Sequence, residues 1–170
     1  MSEERQITSS KPRMPAAYGL GAATTRPGER LSWERAGELL AASKNYWVCT
    51  SRPDGRPHAM PVWGLWLDGC VYFSTGRDSR KALNLAAQPY AVVHLESGDE
   101  AVIVEGTVAE VRGVSILERL HSAYEKKYGM RPDLNALKAA FYVVRPKVVF
   151  GWLEPDFPES ATRWRIEDGR

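Results

Sequence analysis

The stretch Tyr46 to Ala87, YWVCTSRPDGRPHAMPVWGLWLDGCVYFSTGRDSRKALNLAA, sets the pattern from which the rest of the chain is placed. Tyr46 to Ser51 is aromatic and β-branched, the composition that fits a pleated surface. Arg52-Pro53-Asp54-Gly55 follows. Proline presets φ, and Asp and Gly tolerate φ > 0, so these four residues predict a hairpin turn. Arg56 to Leu67 reads as a second strand, Asp68-Gly69 as a second turn, and Cys70 to Thr75 as a third strand. Three antiparallel strands in succession form a meander. In the second strand, Ala59, Pro61, Trp63, Leu65 and Leu67 alternate with His58, Met60, Val62, Gly64 and Trp66. Both sets are largely apolar, as in a barrel wall that also meets another surface. Pro61 cannot donate to a ladder, so it predicts either a sheet edge or a bulge.

The third strand runs out at Gly76-Arg77-Asp78. Ser79-Arg80-Lys81 then opens a helix that continues from Ala82 to Ala87. Free N–H groups and the positive end of a helix dipole meet at such a start, and phosphate is their natural guest. Arg adds a bidentate fork and Lys a point charge. Two cations in a first turn oppose the dipole unless an anion offsets them. On residue types alone a solvated helix start with Ser79 as N-cap is the commoner case, and it is the surrounding sequence that favours the phosphate.

Working outward, Met1 to Arg30 is rich in Ser, Pro, Gly, Arg and Thr and reads as an irregular arm. Ser32 and Glu34 open a helix carrying Trp33, Ala36, Leu39 and Leu40 on one stripe, ended by Asn45. Ala91 to Glu96 and Ala101 to Arg112 are the fourth and fifth strands. Ser115 to Tyr128 is helical, with Ile116, Leu117, Leu120 and Tyr124 on one face. Pro132-Asp133 starts a short helix, Leu134 to Phe141, and Arg145-Pro146 breaks the chain before a sixth strand, Lys147 to Leu153. Ala161 to Ile166 closes the domain. The sum is one mainly β domain, residues 31–170, behind the arm of residues 1–30. Six or seven strands with peripheral helices make a closed or split barrel.

The 170 residues suffice for one real core, and 44% hydrophobic with 26% charged is an ordinary globular mix. A net charge of +2 gives no electrostatic case for nucleic acid. No apolar run approaches the ~20 residues of a membrane helix, and Met1-Ser2-Glu3-Glu4-Arg5 lacks a signal-peptide core, so a cytoplasmic protein is expected. Cys49 and Cys70 fall in neighbouring strands and are expected as buried thiols. They and His58, His94 and His121 lack metal-ligand spacing, so no metal site is expected. No nucleophile elbow, phosphate loop or dinucleotide fingerprint is present, and no catalytic side chain stands out. His58 is one possible acid or base, although a lone strand histidine is more often structural. Glu105 is expected in a structural ion pair. A phosphate cradle without catalytic side chains is what a cofactor-dependent enzyme looks like.

The segment resembles the flavin-binding split β-barrel proteins of the pyridoxamine 5′-phosphate oxidase-like superfamily. The resemblance is carried by Arg52-Pro53-Asp54-Gly55-Arg56-Pro57, Pro61-Val62-Trp63, Val71-Tyr72-Phe73-Ser74-Thr75-Gly76, Ser79-Arg80-Lys81-Ala82, Val102-Ile103-Val104-Glu105-Gly106 and Ala161-Thr162-Arg163-Trp164-Arg165. It covers about Leu31 to Ile166 and implies an FMN-binding-protein-like, homodimeric split barrel with two cofactor sites between subunits and a small-molecule substrate. It further implies that Ser79, Arg80 and Lys81 hold the cofactor phosphate. Ser74, Thr75 and Gly76 would lie beside them, and His58, Met60, Pro61, Val62 and Trp63 would line the ring. The parent oxidases carry Arg and Lys in the second-strand motif, where His58 and Trp63 fall here. The substituted pattern is more similar to the actinobacterial branch that binds the deazaflavin coenzyme F-420. The resemblance therefore implies an oxidoreductase using coenzyme F-420 on a small conjugated substrate. FMN in the same cleft, or cofactor binding without turnover, are the alternatives. Arg52, Arg56 and Arg77 would be near enough to meet the acidic tail of the deazaflavin.

Overall fold

The computed structural model describes residues 5–14, 29–135 and 138–167. Its elements in chain order are β1 (Gln6–Ser10), α1 (Trp33–Ala42), β2 (Asn45–Ser51), β3 (Pro57–Leu67), β4 (Cys70–Gly76) and α2 (Arg80–Ala87). Then come β5 (Tyr90–His94), β6 (Glu100–Glu110), α3 (Val114–Tyr128), β7 (Ala139–Leu153) and β8 (Thr162–Glu167). The strands form one antiparallel sheet in the order β1-β8-β7-β4-β3-β2-β5-β6. Pairing of β6 with β7 closes six of these strands into a barrel, and β8 and β1 extend from β7 as a flap. The fold is that of the split-barrel class expected from the sequence.

The expected hairpins form where the turn residues place them. Gly55 takes φ 84° in the first, and Asp68 and Gly69 take φ 51° and 67° in the second, the positive values that such turns require. Apolar alternation then fills the barrel. Tyr46, Val48, Val71, Phe73, Val93, Val104, Val144 and Val149 point inward and are fully buried. A second core lies on the outer face of β4 and the first half of β7, where Tyr72, Phe141 and Val143 pack under Leu120 and Tyr124 of α3.

Four expectations are corrected. The arm is not irregular throughout: Gln6–Ser10 is a strand paired with β8 from Gln6↔Glu167 to Ser10↔Arg163. The remainder of residues 1–30 lies largely outside the described residues. The short helix from Leu134 to Phe141 does not form, because Ala139 already begins β7. Ala139 to Val144 is buried on both faces, and a short apolar run of that kind has no period that separates strand from helix. Arg145-Pro146 does not break the strand either. Pro146 lies opposite Gly106, where the β6–β7 register shifts, and a bulge is where a strand tolerates a missing donor. Asn45, expected to end α1, instead begins β2.

Candidate functional site

α2 starts at the open end of β4. Ser79 caps it in extended conformation, its Oγ accepting from Ala82 N at 3.3 Å, and Thr75 Oγ1 lies 3.1 Å from the same Oγ. Lys81 turns back over the strand end and donates from Nζ to Thr75 Oγ1 at 3.2 Å. It is half-buried, and desolvation lowers its pKa from the ordinary lysine value. Arg80 is exposed. Neither cation is ion-paired among the described residues. Two unpaired cations at the positive end of a helix dipole are electrostatically unfavourable alone and complementary to an anion.

The neighbouring hairpin faces this entrance. Thr50 and His58 are directly opposite in the β2–β3 ladder, so their side chains share a face. Asn84, 1% exposed on α2, donates from Nδ2 to Thr50 Oγ1 at 2.9 Å. Desolvation first, then Arg52, Lys81 and Arg80, hold His58 below the usual imidazole range. Four buried side-chain polar atoms among the described residues lack a partner, and three belong here: Arg52 Nε, His58 Nδ1 and Asn84 Oδ1. Buried polar groups are otherwise almost always satisfied. Two nitrogens, one amide oxygen and two unpaired cations fit a phosphate-bearing ligand with a polar stem.

The expected site residues separate into two groups. His58, Thr75, Gly76, Ser79, Arg80 and Lys81 converge on the entrance. Strand alternation puts Ser74 on the other face of β4 from Thr75, toward Tyr72 and the α3-side core, so its side chain is not part of the cradle. Met60, Pro61, Val62 and Trp63 lie along β3. There β4 pairs only Gly64 to Leu67, so the half from Pro57 to Trp63 has β2 on one side and an unpaired edge on the other. Pro61 therefore marks an edge, not a bulge. In the single chain this half is not covered on both faces: Met60 is 47% and Trp63 38% exposed. Val62 packs against the barrel core. Trp63 stacks on Tyr128 of α3 with centroids 4.6 Å apart and planes 4° from parallel, and its carbonyl accepts from Tyr124 Oη at 2.6 Å.

Of the three turn arginines, Arg56 pairs with Asp54 at 2.8 Å and Arg77 with Glu110 at 3.0 Å. Only Arg52 stays at the entrance without an acid. Glu105 is in none of the ion pairs among the described residues. Cys49 and Cys70, expected on neighbouring strands, are separated by β3; both are free thiols, Cys70 buried and Cys49 partly so. The sequence reading missed Thr50 and Asn84. The available signal was Asn84 itself, an amide on the apolar stripe with Ala82 and Leu85.

Fold and site together describe a six-stranded split barrel with a charged helix entrance that carries unsatisfied polar groups. The chain belongs to the pyridoxamine 5′-phosphate oxidase family, whose pattern it matches over residues 32–155. No curated protein sequence matches it. Among solved structures it is similar to a conserved hypothetical protein of Mycobacterium tuberculosis, with TM-score 0.65, 23% identity, and coverage of 76% of this chain and 92% of that one. It is also similar to an F-420 reductase, with TM-score 0.55, 21% identity and coverage of 66% and 93%. A third is the heme storage protein HutZ of Vibrio cholerae, with TM-score 0.61, 14% identity and coverage of 75% and 99%. At these identities the likeness shows the fold. Among the described residues no helix is long and apolar enough to cross a membrane.

Proposed function

We propose that this protein is an oxidoreductase that binds the deazaflavin coenzyme F-420 at the α2 entrance and acts on a small conjugated substrate. One observation carries the reading: the unpaired Arg80–Lys81 pair at a helix start, facing the orphaned Arg52 Nε and His58 Nδ1. Arg80, Lys81, the Ser79 hydroxyl and the first N–H groups of α2 would hold the phosphate. The Met60 to Trp63 edge would line the ring from one side, through the backbone groups that neither β2 nor Tyr124 takes. When bound, the deazaflavin supplies hydride transfer; the protein orients it and excludes water.

The edge also supports a homodimer. Met60 and Trp63 on β3 are large apolar side chains 47% and 38% exposed, and the strand edge they lie on favours cover by a second copy. The cofactor would then lie between subunits. FMN is the second reading, favoured by the pairing of Arg56 and Arg77 with acids, which leaves only Arg52 for an acidic tail.

Titration of the purified protein with coenzyme F-420, FMN and haem, followed by absorbance and fluorescence, tests this. Saturable binding of F-420 and its reduction-linked turnover of an enone supports the leading reading. FMN binding alone moves the assignment to FMN, and a haem Soret band with no flavin binding overturns both. F-420 binding without turnover of any acceptor makes the protein a carrier.

A further inference from the structure

A second cleft, of about 740 Å³, lies at the other end of β4 from the phosphate entrance. Its apolar lining is Trp33, Tyr72, the exposed Ile7 and the almost fully buried Ile166. Its rim is cationic, with Arg5, Arg119 and Arg145 against one acid, Asp68. The three arginines differ in what they already do. Arg5 fastens the β3–β4 turn, donating from Nη1 to the Gly69 carbonyl at 2.9 Å and from Nη2 to the Asp68 carbonyl at 3.2 Å and Cys70 Sγ at 3.1 Å. Arg119 Nη2 pairs with Asp68 Oδ2 at 2.9 Å. Arg145 is exposed, and among the described residues it makes no ion pair and no side-chain hydrogen bond. It sits on β7 beside Pro146, at the bulge opposite Gly106, and bulges re-aim the side chains next to them.

A solvated arginine on a strand is ordinary. What singles this one out is its place beside Trp33 and Tyr72 in a cleft of ligand size, where the one acid is already taken by Arg119 and Arg5 is tied to carbonyls. We propose that this cleft binds an apolar organic acid, its hydrocarbon body against Trp33, Tyr72 and Ile166 and its carboxylate on Arg145. The site is separate from the cofactor entrance: Cys70 and Tyr72 begin the strand whose far end, Thr75 and Gly76, reaches Ser79. The inference does not depend on which cofactor the entrance takes.

Calorimetric titration of the 170-residue protein with octanoate and with octan-1-ol tests it. The chain lengths match, so only the carboxylate differs. Octanoate binds saturably at one site per chain and the alcohol about tenfold more weakly, the ratio expected of one charge-assisted contact. Arg145→Gln, at an exposed position, weakens octanoate by a similar factor and leaves the alcohol unchanged. Arg80→Ala, at the cofactor entrance, leaves octanoate binding intact. No saturable octanoate binding, equal binding of acid and alcohol, or an unchanged affinity in Arg145→Gln each overturns the proposal. Loss of octanoate binding in Arg80→Ala also overturns it, by moving the site to the entrance.

Discussion

At the scale of single residues, His58 and Lys127 are two groups whose charge depends on their surroundings. His58 is held low by desolvation and by the cations Arg52, Lys81 and Arg80, so it is neutral near pH 7 in the free protein. Its folded value lies below the unfolded one, so the charged form opposes folding, and that cost grows as pH falls through the imidazole range. A bound phosphate reverses the local field and favours the imidazolium. Binding should therefore take up a proton, and affinity relative to His58→Gln should rise as pH falls from about 7.5 to about 6. The comparison between variants removes the ligand's own ionisation. Parallel pH profiles for the two proteins would show that His58 does not face the anion.

Lys127 lies in a different setting. Its Nζ donates to Tyr46 Oη and the Gly64 carbonyl, both at 3.1 Å, over the rings of Tyr46 and Tyr128. Desolvation brings its pKa down to about 8. The penalty for the charged form is full below that value and is relieved as pH rises toward the ordinary lysine range. The carbonyl keeps the Tyr128 hydroxyl at 2.7 Å without it, and Tyr46 donates to the Leu40 carbonyl. Lys127→Met leaves no buried group orphaned, so thermal denaturation should show a raised Tm at pH 7 and a smaller gain near pH 9.5. A lowered Tm at pH 7 would mean that the cation–ring contacts outweigh the desolvation.

At the scale of elements, the β6–β7 pair is where the barrel is least forgiving. A Cβ on Gly106 would sit 2.1 Å from the Arg145 carbonyl oxygen and 2.8 Å from its carbon. Backbone cannot move aside there without breaking the register shift, so Gly106→Ala should cost about 3 kcal/mol, read as a lower midpoint in urea at unchanged slope. An unchanged midpoint would contradict the bulge. This element also marks the limit of the sequence. The meander from Tyr46 to Thr75 was legible because Pro53-Asp54-Gly55 and Asp68-Gly69 encode their turns locally. The start of α2 was legible because Ser79 is a good cap. β7 was not, because Ala139 to Val144 is buried on both faces and Pro146 is tolerated only through a partner 40 residues earlier in the chain. β1 escaped for a similar reason: Gln6–Ser10 is exposed along its length, so nothing in its own pattern marks it, and only its ladder with β8 does. Within the site, Arg80 and Lys81 announced themselves as adjacent cations, whereas Thr50 and Asn84 matter only because folding faces them.

At the scale of the whole molecule, the barrel carries an incomplete edge. Among the described residues no second strand pairs β3 from Pro57 to Trp63, and Met60 and Trp63 on that half are exposed. Light scattering after size exclusion should give twice the 19.0 kDa chain mass, and Met60→Lys, an exposed edge substitution that spares the core, should shift the population toward monomer. A monomer in the wild type would leave the cofactor site to a single chain. The charge at the α2 entrance is what would hold the cofactor. The most direct test is the equilibrium titration of the wild type, Arg80→Ala and Lys81→Ala with the phosphorylated cofactor that binds. Each substitution should weaken binding by about 1.5–3 kcal/mol, tenfold or more, with folding intact; unchanged affinity in both variants would contradict the assignment.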